Sequence, residues 1–407
     1  MAAAAMSGPL SGTRVADFSH LMAGPYCSLI LADMGAEVIK IESPQGDPTR
    51  TLLSPGEDEE SPFFLSINRN KKSVVLDLHA DEGRAVALDL IARADVVLES
   101  FAAGVMDRFG LGYATLSAAH PTLIYCAVSA YGRSGPLAER AGYDPIIQGE
   151  SGLMYLNGHA DGEPHKTAIP IIDLTTGMFA AHAVLAALYA RCSSGRGQFI
   201  DVPLFDSSAA LTTYHTMAYL RGGGDPARLG NSSAVAAPVG LFEAQDGSFF
   251  LTVAGDRVWQ KLVSVLGNPP ELACEDFAGN FLRVRHQARL VEILKRIFRE
   301  ERLDTWMVRL RAAGVPAGPV RSIAQAVASP EMQARAVIGE APHRKYGTVP
   351  NLRLPMTMTG TPLVAPRGAP LLGEHTVAVL ADVLHYGPER VAGLLRGGVV
   401  AAWQPDV

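Results

Sequence analysis

The stretch IPIIDLTTGMFAAHAVLAAL, residues 169–188, sets one carboxylate, Asp173, between an apolar run and a long apolar helix pattern. A carboxylate at the start of a helix can do two kinds of work. As an N-cap it accepts a first-turn backbone N–H and contributes about 1 kcal/mol. As a nucleophile it would react as the anion, which the helix dipole with its free N–H groups would hold ionised at neutral pH. The pattern leaves both open. A second stretch, SINRNKKSVVLDL, packs Arg69, Lys71 and Lys72 into a turn that feeds a buried-looking strand, and Lys40 closes an earlier strand. Cations at strand ends either bind phosphate or sit in solvated turns, and spacing alone does not choose between them.

An α/β scaffold must position these groups. Residues 13–42 read as a strand, a Gly24-Pro25 loop, a helix closed by Gly35 and a second strand, a β-α-β unit. Strand patterns at 73–78, 95–100 and 122–132 alternate with helices over 81–93 and near 104–109. This alternation predicts a doubly wound, mostly parallel, Rossmann-like sheet, whose ligands sit beyond the strand carboxyl ends. Lys40 and the loops after residues 19 and 100 should converge there. The helix after Asp173 is apolar almost all round, which predicts burial in the core or at a subunit interface. His182 on it, and His215 on the helix expected over 206–220, then read as core histidines. The large α/β domain is expected over 9–220, with a linker at 221–238 containing RGGGDPARLGNSSA. A hairpin pattern around Asp246-Gly247 and amphipathic helices at 256–266, 284–300 and 303–313 predict a smaller α+β domain over 239–325. Residues 326–407 should link back to the large domain.

Composition narrows the function classes. The 407 residues suggest two or three domains, and 48% hydrophobic with 19% charged residues is a globular composition. No apolar run is expected to approach the roughly 20 residues of a membrane span, and MAAAAMSGPLSG lacks the charged and apolar regions of a secretory signal. The expectation is a cytoplasmic protein with no membrane partner and a disordered Ala-rich lead-in. Four scattered cysteines with no C-x-x-C pair argue against a structural zinc site or a disulfide framework, so no metal is expected. A net charge of -6 argues against general nucleic-acid affinity. The first turn, SHLMAGPY, is not G-x-G-x-x-G, so the close pyrophosphate approach of a nicotinamide enzyme is not encoded. Phosphate-loop, serine-elbow and H-E-x-x-H patterns are missing from the sequence.

Several motifs in order carry a resemblance: DFSHLMAGPYCSLILADMGAEVIKIESPQGDPTR, NRNKKSVVLDL, VVLESFAAGVMDRFGLGY, SAYGRSGPLAERAGYDPIIQGESGLM, IIDLTTGM, SSGRGQFIDVPLFD, GVPAGPV and PLLGEHT. From about residue 9 to about 386 the chain resembles the family III CoA-transferases, also called CaiB/BaiF or formyl-CoA transferase-like. The resemblance implies that Asp173 is a covalent catalyst that passes through an acyl anhydride and an aspartyl-CoA thioester, with coenzyme A thioesters as substrates and no permanently bound cofactor. It further implies a CoA site using Lys40, Asn70, Lys71, Lys72, Phe101, Met106 and Tyr143, and an interlocked homodimer. Asp144 stands where formyl-CoA transferases place a functional Glu, and His20 follows the first strand near the expected thioester; each has a structural alternative. Related racemases carry a GHD motif whose His lies 30 residues before the Asp, whereas Tyr143 fills that slot here, which disfavours racemisation. Formyl-CoA:oxalate transferases have Gln where this chain has Met22. The wording SINRNKKS, AGYD and SGLM is similar to the branch that transfers CoA from succinyl-CoA to small dicarboxylic acids, whose distal carboxylate Arg50 or Arg140 could hold. Intramolecular CoA transfer within one dicarboxylate of the mesaconyl-CoA type, 2-methylacyl-CoA racemisation and CoA binding without turnover are the alternatives.

Overall fold

The computed structural model describes residues 8–54, 56 and 60–404, so the expected disordered lead-in lies largely outside the described residues. The chain forms two compact units. The larger takes residues up to 153, 167–216 and 335 onward, and the smaller takes 154–166 and 217–334.

The larger unit is built on a seven-stranded sheet. Its strands are β1 (Arg14–Asp17), β2 (Glu37–Glu42), β3 (Lys71–Leu76), β4 (Val96–Glu99), β5 (Ile124–Ser129), β6 (Phe199–Pro203) and a final two-residue strand, Val400–Ala401. The spatial order is final strand, β3, β2, β1, β4, β5, β6, with every pairing parallel except the antiparallel final strand. This is the doubly wound order the alternation predicts. The strands are rich in Val and Ile because both faces are covered. Ala16, Ile39 and Val97 face one apolar cluster, and their neighbours Val15, Val38 and Val96 face the other.

The helices of this unit begin with α1 (Ala23–Asp33), α2 (Pro62–Ile67), α3 (Asp81–Ile91), α4 (Val105–Arg108), α5 (Tyr113–Ala119) and α6 (Asp144–Glu150). After α7 (Leu153–Leu156), most of which belongs to the smaller unit, come α8 (Ile171–Ser194) and α9 (Leu204–Leu211) of the larger one. A hairpin, Ile338–His343 with Gly347–Leu352, had no clear sequence signal. Helix α8 corrects one expectation and leaves a face for the subunit-interface alternative. It is long and apolar enough to cross a membrane by length and composition, so such a run does exist. It is also buried on one stripe only: Ile172, Thr176, Ala180, Val184 and Ala187 face inward, while Phe179, His182 and Tyr189 are exposed. His182 is therefore no core histidine, and His215 is half-buried with its ring 4.1 Å from that of Tyr214.

Close packing of α8 on α1 fixes the start of α8. A Cβ added to Gly177 would lie 2.6 Å from the Ala23 carbonyl oxygen and 3.1 Å from the Tyr26 side chain, so only glycine permits this approach. Asp173 lies one turn earlier on the same helix face, which directs that face toward the start of α1.

The smaller unit pairs β7 (Val239–Glu243) with β8 (Ser248–Thr252) in the expected hairpin, and β9 (Ala317–Pro319) adds an antiparallel third strand. The helix expected over 284–300 is two, Asn280–Arg285 and Gln287–Phe298. Phe242, Phe249, Phe298 and Trp306 pack edge to face in its core, with centroids 4.9–5.2 Å apart about Phe298. Segment 154–166 belongs here because the Arg228 guanidinium donates to the carbonyls of Tyr155, His159 and Gly162. Those bonds order part of the stretch expected as a linker.

Candidate active site

Asp173 is the third residue of α8, and Pro170 takes the N-cap position without a side-chain bond. Asp173 is therefore not the cap. The helix start is served by Asp144, the first residue of α6, whose Oδ2 accepts the N–H of Ile172 at 2.7 Å and of Asp173 at 3.1 Å. Its Oδ1 accepts from Gln148 Nε2 at 2.6 Å, so this buried carboxylate is ringed by donors. The Asp173 side chain accepts no hydrogen bond among the described residues. Burial, and then the charge of Asp144, push its carboxyl up to about 7. This corrects the expectation that the helix end simply holds Asp173 ionised: desolvation and a like charge outweigh the dipole. Tyr143, the N-cap residue of α6, leaves its side chain 63% exposed beside this pair.

The loops after β1 and β4 meet through His20 and Ser100. Ser100 Oγ accepts the His20 N–H at 3.0 Å and lies 3.4 Å from Nδ1, and the His20 ring sits 5.3 Å from that of Phe101. Burial, opposed by the Asp47 carboxylate, pulls the imidazole below its usual range, so it is neutral near pH 7. Glu99 Oε2 accepts the Phe101 N–H at 2.8 Å while its other oxygen pairs with Arg133. Phe101 is thereby held at the front of its loop.

The expected phosphate cations are placed differently. Lys40 is fully buried, and its Nζ donates at 2.8 Å both to Asp47 and to the Ser19 carbonyl. Lys71 is buried too, donating to the Pro25 carbonyl at 2.9 Å and to Asn68 at 2.8 Å, with Asp17 at 3.5 Å. Neither offers a free face to phosphate. Both clamp carbonyls on either side of residues 20–24, and so fix the loop that carries His20. Asn70, at φ 62, donates to Asp33 and accepts the Arg367 N–H, holding the C-terminal segment rather than a ligand. The Met106 side chain is in the core cluster. Only Lys72 of the basic turn stays at the surface, paired with Glu37 at 2.6 Å. Arg50 makes a two-pronged bond to Glu42, donates to the Pro370 carbonyl and stacks on Phe64, so it is a structural cation rather than a carboxylate anchor. Arg140 is exposed, paired with Glu150 at 2.6 Å beside Tyr131.

The structure thus joins Asp173 with Asp144, and His20 with Phe101, and withdraws Lys40, Lys71, Asn70 and Met106 into the scaffold. Sequence reasoning missed Gln148, Ser100, Asp17 and Asp47. For Gln148 a signal existed, because Asp144 and Gln148 stand i,i+4 on one helix; for Asp17 and Ser100, polarity at the end of an apolar strand pattern was the only hint, and Asp47 reads as an ordinary turn residue in SPQGDP.

The larger unit thus sets a half-buried carboxylate that accepts no hydrogen bond among the described residues at a helix start beside a doubly wound sheet. A family model described as CoA-transferase family III matches residues 10–376, and the chain belongs to that family and is a CoA-transferase. It is 37% identical to the succinate–glutarate CoA-transferase of Agrobacterium fabrum, over 92% of this chain and 96% of the relative. It is 38% identical to the acetyl-CoA:oxalate CoA-transferase of Acetobacter aceti, over 81% of this chain and 85% of the relative. Among solved structures, a CaiB/BaiF family protein from Brucella suis superposes with TM-score 0.85 at 36% identity, covering 93% of this chain and 100% of its own.

Proposed function

We propose that the enzyme transfers CoA from succinyl-CoA to a small dicarboxylic acid such as glutarate, through covalent intermediates on Asp173. The observation that supports this most is the state of Asp173: half-buried, accepting no hydrogen bond among the described residues and pushed up to about 7, so that both its oxygens are available and its anion is poorly solvated. A carboxylate oxygen of Asp173 attacks the thioester carbonyl and CoA thiolate leaves, giving a mixed anhydride. The thiolate then attacks the Asp173 carbonyl carbon, releasing succinate and forming an aspartyl-CoA thioester. The acceptor carboxylate attacks that thioester, and the freed thiolate takes the acceptor acyl group while Asp173 leaves as a carboxylate. Every bond broken returns its electron pair to a carboxylate or a thiolate, so no oxidant or metal is required.

The Asp144 carboxylate keeps α8 in place and keeps Asp173 from being a weak, stabilised anion. In this reading neutral His20 donates or accepts one hydrogen bond beside the thioester, Phe101 and Tyr143 contact the CoA arm, and Lys72 meets its phosphates. Arg140 is the remaining candidate for the distal carboxylate of the acid. The exposed aromatic residues Phe179, Tyr189 and Tyr214 support a homodimer that covers them.

The test is product analysis with succinyl-CoA and glutarate. Glutaryl-CoA is expected, with succinate released in equal amount. A product with oxalate but not glutarate would move the acceptor to the shorter acid, an observation the Acetobacter relative makes worth seeking. Isomerised CoA ester with no added acceptor would point to intramolecular transfer, and α-deuterium uptake to racemisation.

A further inference from the structure

Gln148 is buried and uses both ends of its amide. Its Oε1 accepts the Thr167 N–H at 2.9 Å, and its Nε2 donates to Asp144 Oδ1 at 2.6 Å and to Thr167 Oγ1 at 3.0 Å. Thr167 in turn donates to the Ile169 carbonyl at 2.7 Å, in the last residues before α8. These partners settle which end of the amide is oxygen, since only one orientation satisfies both a backbone donor and a carboxylate. The result is a double tie. One arm fixes the Asp144 carboxylate so that its second oxygen faces the N–H groups of Ile172 and Asp173; the other fixes the chain that enters α8.

We propose that Gln148 is a positioning residue for Asp173, acting through Asp144 and the Thr167 segment. The inference rests on the reading that Asp173 is the nucleophile. Gln148 touches no reacting atom, but removing it leaves Asp144 Oδ1 without its donor and lets that carboxylate turn away from the first turn of α8. Displacing a nucleophile by about 1 Å costs on the order of a hundredfold in rate. The acyl-CoA contacts of the other loops would be untouched, so kcat should fall and KM should not.

The experiment compares wild type, Gln148→Leu and Gln148→Glu in CoA transfer from succinyl-CoA to glutarate, with circular dichroism to verify folding. Leucine removes both ties. Glutamate keeps the oxygen that accepts from Thr167, and can donate to Asp144 only when it is protonated. Gln148→Leu is expected to lower kcat by about 10- to 100-fold, with KM for succinyl-CoA within about threefold of wild type. For Gln148→Glu, kcat relative to wild type is expected to rise as pH falls from about 8 to 6, because the protonated carboxyl restores the bond to Asp144. Where the leucine variant does not fold, the glutamate variant carries the test. Unchanged kcat in a folded variant, a change in KM alone, or a glutamate-to-wild-type ratio flat with pH would overturn the proposal. If wild type gains no covalent adduct on Asp173, the underlying reading fails and the inference falls with it, an outcome separate from normal turnover in the variants.

Discussion

Around Lys40 and Arg50 buried charge meets its opposite, whereas at the start of α8 a buried carboxylate, Asp144, neighbours the half-buried Asp173, and the charge that acts on Asp173 is a like one. In the first region the Lys40–Asp47 pair is 2.8 Å long and nearly solvent-free, and Arg50 faces Glu42 at the same distance. The lysine beside it holds Asp47 down to about 2 despite burial, and Arg50 does the same in direction for Glu42. Those acids do not change charge near neutral pH. In the second region, burial and Asp144 move Asp173 up to about 7, into the working range. Matched buried charges make a rigid scaffold whose breakage is costly, and an unmatched one makes a reactive group. Lys40 belongs to the first kind; Lys71, whose carboxylate partner Asp17 is 3.5 Å away, is pushed down to about 7 by burial, and both lysines hold the loop that carries His20.

Removing the unmatched charge should have the largest effect. Asp173→Ala is expected to lower kcat for CoA transfer by at least roughly a thousandfold while the far-ultraviolet circular dichroism spectrum is kept, because the nucleophile goes and the Asp144 cap stays. Breaking the matched region should strike stability instead. Lys40→Met leaves Asp47 buried without its cation and is expected to destabilise by about 3–5 kcal/mol in denaturant titration. A loss of activity without loss of stability in that variant would mean that Lys40 meets substrate after all.

The pH behaviour sharpens the contrast. The anion of Asp173 is the reacting form, so kcat/KM should rise about tenfold per pH unit below about 7 and level off above it. The same raised value carries a stability sign. Between the unfolded carboxylate value near 4 and the folded value of about 7 the folded state binds more protons, so this group's contribution falls as pH rises through that window. Asp173→Asn should therefore be more stable than wild type at pH 8, by on the order of 1–3 kcal/mol, and about equal to it near pH 4. A wild type that is the more stable at pH 8 would show that Asp173 is paired in solution.

Much of the fold was legible because strands buried on both faces must be runs of Val and Ile, and because Gly24-Pro25, Gly35 and Asp246-Gly247 mark turns. The site was legible only in part. Asp173 and Asp144 stood out by type and place, but that Asp144 serves the start of the helix of Asp173 through Ile172, 28 residues away in sequence, is a tertiary fact no local pattern encodes. Lys40 and Lys71 showed their charge but not their depth, since a strand-end lysine reads the same whether it points to solvent or to a buried Asp. Apolar residues on both faces of α8 concealed that one face is uncovered. The final strand pairs Val400 with Leu76, a partner too distant and a segment too short for periodicity to reveal.

Covalent chemistry at Asp173 is the central claim, and the intact mass of the protein after mixing with succinyl-CoA tests it most directly, for wild type beside Asp173→Ser. A CoA-sized or succinyl-sized gain is expected on wild type alone, mapped by peptide analysis to Asp173. Equal labelling of both proteins, or turnover by wild type with no covalent gain in mass, would contradict it.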